Sequence, residues 1–220
     1  GINKATLNRP VFSDCRLRNS IANPAGIRWE SPPAWEVVAS HQLEHEQIYP
    51  KPGWVEHDPQ EIWQTQARVI AEVLESPAAA GHVVAAVGVA NQRETTVVWD
   101  RATGEPVHNA LVWQDRRTAD VCRRLRDEGR EEAVHKETGL LLDPYFSATK
   151  MRWMLDNVDA VAQAQEAGRL AFGTVESWLV AKLSGGAHVS DASNASRTLL
   201  LPLGEAGFSP DLCDLFGVPH

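Results

Sequence analysis

Val83-Val-Ala-Ala-Val-Gly-Val-Ala-Asn-Gln-Arg-Glu-Thr-Thr-Val-Val-Trp99 is the stretch on which the reading of the fold turns. Residues 83–90 form a short apolar run with turn signals nearby, the pattern of a central strand buried on both faces. Residues 95–99 are a second β-branched run, a turn follows at 100–104, and residues 109–113 give a third strand. Between the first two runs lie Asn91, Gln92, Arg93 and Glu94. Polar residues at the C-terminal end of a buried strand occupy the place where open α/β sheets put their ligands.

Working upstream, residues 37–45 alternate loosely, as in an edge strand. Pro50, Pro52, Gly53 and Pro59 mark a loop. Asp58 is then read as a helix cap, with Pro59 in the first helical position and Glu61 completing a pattern like a capping box. Ile62, Val69, Ile70, Val73 and Leu74 form the stripe that this helix buries, and Pro77 marks its end. Downstream, helices are expected at 116–128, about 131–137, about 147–158 and 174–183, with Gly185 and Gly186 closing the last. Strands alternating with helices indicate an α/β layered domain with a mixed sheet.

Composition sets the outer bounds. The 220 residues carry a net charge of −8, with 43% hydrophobic and 23% charged residues, an ordinary globular balance. The acidic total argues against a dedicated nucleic-acid binder. No run approaches about 18 apolar residues, and no secretory signal pattern is visible. Cys15, Cys122 and Cys213 are too few and too dispersed for a disulfide framework or a structural zinc site, so a reducing cytoplasm is the default compartment. The charge is uneven: residues 1–35 hold five basic against two acidic side chains. That stretch contains Pro10, Pro24, Pro32 and Pro33 without periodicity and reads as irregular, giving a division into 1–36 and 37–220.

Four residues are candidates for binding a small polyol. Arg93 offers fixed donors and Glu94 offers acceptors, a pair suited to vicinal hydroxyls, though an ordinary surface ion pair gives the same sequence. Trp113 is either a pocket wall against C–H groups or a core tryptophan. Tyr145, in the loop Asp143-Pro-Tyr-Phe-Ser147, either presents its hydroxyl or packs near a cap, for which Ser147 is suited. Asp115 suits the start of a helix. His41 and His45 share one face of a strand without a third ligand, so no metal site is assigned. Asp191 and Asn194 read as turn and capping residues. Walker loops, G-x-S-x-G elbows and G-x-G-x-x-G fingerprints do not occur.

These segments together resemble the FGGY carbohydrate kinase family, over its N-terminal half only. Glu46-Gln-Ile-Tyr-Pro-Lys-Pro-Gly-Trp-Val-Glu-His-Asp-Pro59 is similar to the family's loop before its first helix. Asn91-Gln-Arg-Glu-Thr-Thr96, Val112-Trp-Gln-Asp-Arg-Arg-Thr118 and Asp143-Pro-Tyr-Phe-Ser147 are similar to its substrate-pocket segments. Residues 145–157 fit its first signature pattern. Phe172-Gly-Thr-Val-Glu-Ser-Trp-Leu179 and Ser193-Asn-Ala-Ser-Arg-Thr198 also match. The pocket segments favour the glycerol-phosphorylating members over sibling pentulose kinases.

The resemblance implies an actin-like, ribonuclease-H-like ATPase fold and transfer of a phosphoryl group from ATP, with Mg²⁺, to the 3-hydroxyl of glycerol. It assigns Arg93 and Glu94 to glycerol hydroxyls, Trp113 to the carbon skeleton and Tyr145 to a further hydrogen bond; a homo-oligomer is compatible with it. The family's phosphate loop is expected near residues 20–27, which read Ser20-Ile-Ala-Asn-Pro-Ala-Gly-Ile27 and do not match. A frame error, a foreign start or a degraded gene would each account for that. The catalytic base is expected beyond His220, so no catalytic residue is assigned here and the chain alone is expected to be inactive. The alternatives are a non-catalytic remnant, an interaction module keeping part of a polyol pocket, or a sibling sugar kinase.

Overall fold

A computed structural model describes residues 2–11 and 34–219. The expected phosphate-loop position at 20–27 lies outside the described residues. The chain divides into two compact units: Ile2–Glu44 together with Thr65–Ala85, and His45–Gln64 together with Ala86–His220.

In the smaller unit, strand β1 (Ile2–Val11) pairs antiparallel with β2 (Ala34–Glu44), from Ile2 opposite Glu44 to Val11 opposite Ala34, with a register shift at Leu7/Asn8. This corrects the reading of the first residues as irregular over 2–11. Strand pairing sets the backbone there, and local periodicity does not report it. The expected strand at 37–45 is β2. His41 pairs with Glu72 at 2.6 Å, and Val69, Val73 and Ala79 are buried.

Helix α1 (Pro59–Glu75) begins where the sequence places it, with the Gln60 N–H donating to Asp58 Oδ1 at 2.8 Å. Two details differ. The Glu61 carboxylate accepts from the backbone N–H of Glu46, so it tethers the upstream chain and does not close a capping box. Leu74 is exposed, because Val69 and Val73 already fill the inward face.

The larger unit is built on five short strands: β3 (Glu56–His57), β4 (Thr96–Asp100), β5 (Glu105–Pro106), β6 (Ala110–Leu111) and β7 (Leu170–Thr174). The hydrogen-bonded order is β3-β6-β4-β5, with β7 paired to β4 from Thr96/Thr174 to Asp100/Leu170; all of these pairs are antiparallel. Helices α2 (Ala119–Asp127), α3 (Glu131–Thr138), α4 (Ser147–Asn157) and α5 (Asp159–Glu166) precede β7. Then come α6 (Val175–Ser184), α7 (Ala192–Ala195) and α8 (Pro210–Phe216). Gly139 and Gly185 end α3 and α6 in the left-handed conformation, with φ of 73° and 74°.

Alternation along β4 separates two cores. Val98 joins Leu111, Cys122, Met151, Met154, Leu199 and Phe216 on one face. Val97 and Trp99 join Ile62, Ala171, Trp178 and Leu179 on the other. The sheet is thus covered on both sides, as its apolar strands require. The close approach of α6 to β7 needs Gly173: a Cβ there would lie 2.5 Å from Ser177 Cβ.

The central strand expected at 83–90 does not form. The segment has no strand assignment, and Val83, Val84 and Val87 are 91%, 46% and 67% exposed. An apolar run becomes a buried strand only with neighbours on both edges, and in the described sheet β4 has β7, β5 and β6 around it while this run has none.

Candidate functional site

The site gathers around the turn that delivers the chain into β4. The Thr95 N–H donates to the Gln92 carbonyl at 3.2 Å, and Thr95 Oγ1 donates to Gln92 Oε1 at 3.0 Å. Thr95 Oγ1 also accepts from the Trp113 N–H at 3.3 Å, which ties the end of β6 to the same turn. The Glu94 carbonyl accepts from Ser147 Oγ at 3.2 Å, bringing in the start of α4. Ser147 is therefore the first helical residue with its hydroxyl turned to the neighbouring turn, whereas Phe146 holds the cap position expected of it.

On this frame three of the four sequence candidates meet. Glu94 is 4% exposed. The Trp113 and Tyr145 rings lie 5.5 Å apart at 65°, an edge-to-face contact, with Trp113 37% exposed. Glu94 connects to them through Arg197. Arg197 Nε donates to Glu94 Oε1 at 2.6 Å, and its guanidinium lies 4.9 Å from the Phe146 ring centre and 5.8 Å from that of Tyr145. Arg93 is exposed beside this group. Its charge reaches Asp191, whose carboxyl is held below the usual range, first by the Asn194 backbone N–H and in smaller part by Arg93. Asp191 caps α7, accepting from the Asn194 N–H at 2.8 Å, as its sequence suggests.

Sequence reasoning missed two residues of this arrangement. Arg197 lies in the Ser193–Thr198 segment, whose sequence alone indicates no role for it because its partner is 103 positions away. Two residues later Leu199 is fully buried with φ 68°, a left-handed conformation that costs a non-glycine residue about 1–2 kcal/mol and makes the turn behind Arg197 a specified one. Lys150 is the second. Its side chain is wholly buried, and Nζ donates to the carbonyls of Pro144 at 2.5 Å, Tyr145 at 2.7 Å and Phe146 at 3.2 Å. Burial pushes its pKa down to about 7, against the opposing pull of Asp115, Cys122, Glu94 and Asp143. The signal was present: Lys150 stands beside Ser147, Met151 and Met154 on the inward face of α4.

Asp115 does not start a helix; α2 begins four residues later. Its buried carboxylate accepts from the Val55 N–H at 2.7 Å and from Arg117 Nε and Nη2 at 2.9 and 2.8 Å. Arg117 also reaches Glu56 at 2.7 Å and lies 3.8 and 4.5 Å from the ring centres of Trp54 and Trp153. This clamp fixes the 51–57 segment against the turn after β6 that carries Trp113, which lies beyond the strand expected to include it. A separate cavity of about 520 Å³ is lined by Leu170, Phe172, Ser177, His188, Val189 and Phe208, among others, and by none of the four candidates. Its lining has no carboxylate, so it lacks the strong acceptors that polyol hydroxyls call for.

Residues 34–220 match the family model for the N-terminal domain of the FGGY family of carbohydrate kinases. The chain belongs to the FGGY carbohydrate kinases and has their actin-like ATPase type of fold. It is 54% identical over 185 residues to the glycerol kinase of Paraburkholderia phytofirmans and 53% identical over 188 residues to that of Halalkalibacterium halodurans. These alignments cover 84% and 85% of this chain but 37% and 38% of the relatives, so the chain spans little more than a third of their length. Among solved structures, Plasmodium falciparum glycerol kinase with ADP superposes with a TM-score of 0.78 at 34% identity, covering 83% of this chain and 36% of that one. Gluconate kinase from Lactobacillus acidophilus, at 18% identity and TM-score 0.72, shares the fold.

Proposed function

We propose that this chain is the polyol-binding part of a kinase that transfers the γ-phosphoryl group of ATP to the 3-hydroxyl of glycerol. The observation that carries this is the convergence of Glu94, Trp113 and Tyr145 around one turn, with exposed Arg93 next to Glu94 in sequence. Glu94 Oε1 is taken by Arg197, and Oε2 is the acceptor offered to a glycerol hydroxyl. Arg93 donates to the hydroxyls, Trp113 covers the C–H face, and the Tyr145 hydroxyl adds a further hydrogen bond. The relatives named as glycerol kinases and the ADP-bound structural relative support glycerol and ATP as the substrates. Mg²⁺ accompanies ATP in phosphoryl transfer generally. Among the described residues no group of three or more His, Cys, Asp or Glu side chains is arranged to hold a metal, so none of the roles assigned here runs through Mg²⁺. Among them, too, no helix is long and apolar enough to cross a membrane, and the proposed setting is the cytoplasm.

The test is glycerol binding by calorimetry or NMR. Hydrogen bonds to charged groups contribute roughly 1.5–3 kcal/mol, so Glu94→Ala is expected to weaken glycerol binding about 10- to 100-fold. Unchanged binding in Glu94→Ala would remove this residue from the site. Glycerol-dependent ADP formation, and its loss in Glu94→Ala, is the matching expectation for a kinase that contains this chain.

A further inference from the structure

Lys150 is an expensive residue where it stands. A cation is held without solvent exposure, and it sits at the N-terminal end of its own helix, where the helix dipole opposes positive charge. Three carbonyls offset that cost, and they belong to three consecutive residues, Pro144, Tyr145 and Phe146. A hydrophobic side chain of similar length would fill the same space at lower cost, but would take the ammonium's donors from those carbonyls, of which only that of Phe146 is also the cap carbonyl of α4. What the lysine does that an apolar residue does not is fix the path of the loop. That loop carries Tyr145, whose ring touches Trp113 and lies under the Arg197 guanidinium.

We propose that Lys150 is a positioning residue for the polyol site: its ammonium gathers the carbonyls of residues 144–146 and thereby sets the Tyr145 ring against Trp113. This rests on the polyol-binding reading above. The charged and titratable groups facing it are Asp115 from the segment before α2, Cys122 from α2, Glu94 from the turn before β4 and Asp143 from its own loop. Because burial brings the lysine pKa to about 7, the anchor weakens as pH rises through neutrality, when the ammonium loses a proton and one of its three donors.

The chain has only two tyrosines, Tyr145 and Tyr49, and Tyr49 is 66% exposed. Labelling with ring-¹³C tyrosine therefore gives two readily assigned sets of resonances, one at the site and one as an internal control. Free tyrosine ionises near pH 10, outside the window used. In the unaltered 220-residue chain, the Tyr145 signals are expected to move between pH 6 and 8 with a midpoint near 7, while those of Tyr49 stay fixed. In Lys150→Arg, whose charge is constant, the Tyr145 signals are expected not to move over that range. In Lys150→Met, with folding checked by its melting transition, they should lie at the high-pH position throughout, and glycerol affinity should fall about 10-fold or more. The proposal is overturned if the Tyr145 signals of the unaltered chain stay fixed between pH 6 and 8, or if they move equally in Lys150→Arg. That decision needs only the unaltered chain and the arginine variant, so it survives a failure of Lys150→Met to fold. Glycerol is titrated in parallel. If it leaves Tyr145 untouched while the pH response is present, the polyol reading fails and the positioning role stands.

Discussion

Residues 83–90 and β4 each contain a Val-Val pair, set among alanine, glycine and further valines in the first and among threonine, tryptophan and aspartate in the second, and only five residues separate them. In β4, Val97 and Val98 have no exposed surface, whereas Val83 and Val87 are mostly exposed. Alanine and glycine dilute the valines of 83–90, but intrinsic preference by itself does not bury a strand. Neighbours do: β4 is paired to β7 along its full length and touches β5 and β6 as well, with an apolar cluster on each face. β-propensity is a statement about fitting a covered, pleated surface, and within the 83–90 run only Val89 packs against an apolar cluster.

The comparison breaks most sharply under a charge. Val98→Asp places a carboxylate in the larger core and is expected to cost on the order of 5 kcal/mol or to abolish the cooperative transition in urea. Val87→Asp should change the unfolding free energy measured in urea by no more than about 0.5 kcal/mol. A large loss from Val87→Asp would show that the run is covered after all.

Next in size is the clamp beside the sheet. Arg117→Ala strands the buried carboxylates of Asp115 and Glu56 and uncovers Trp54, an expected loss of about 3–5 kcal/mol by equilibrium denaturation. The triple change Arg117→Met with Asp115→Asn and Glu56→Gln, which leaves no buried carboxylate unpaired, should recover part of it. Failure to recover would assign the loss to packing and the aromatic contacts.

A smaller, graded effect comes from β3. His57 is buried against His45, with ring centres 4.6 Å apart, and burial followed by the charge of His45 depresses its pKa from 6.5 to about 4. The folded chain therefore resists a proton that the unfolded chain accepts. Stability is expected to be unaffected above about pH 6.5 and to fall by about 1.4 kcal/mol per pH unit toward pH 4, where the loss levels off. Urea midpoints measured from pH 7 to 4 on the parent and on His57→Gln check this; the variant should show the shallower slope.

What the sequence made legible was local. The start of α1 followed from Asp58 and Pro59, and the ends of α3 and α6 from Gly139 and Gly185, because caps and left-handed residues are decided within a few positions. The strand at β4 followed from its β-branched residues. What stayed hidden was long-range. Glu61 looks like a capping residue until Glu46 is brought to it. Asp115 looks like a helix start until Val55 and Arg117 occupy its oxygens. The convergence of Glu94, Trp113 and Tyr145 was expected from a family likeness, but the guanidinium of Arg197 that links them comes from another part of the chain. Lys150 was visible as a charge on an apolar stripe, and only the three carbonyls give that charge a meaning.

The pairing of β4 with β7 also has a cost in time. Asp100 meets Leu170 and Thr96 meets Thr174, so the central ladder joins segments 70 to 78 positions apart. At about 5–20 residues per second, a ribosome needs roughly 4–15 s to supply that interval. Through those seconds a nascent β4 is complete in sequence and without its principal neighbour, and Val97, Val98 and Trp99 are in the condition in which Val83 and Val87 remain. The order of synthesis thus makes β4 a client for whatever shields apolar segments during translation, until residue 174 has cleared the exit tunnel and the ladder can close.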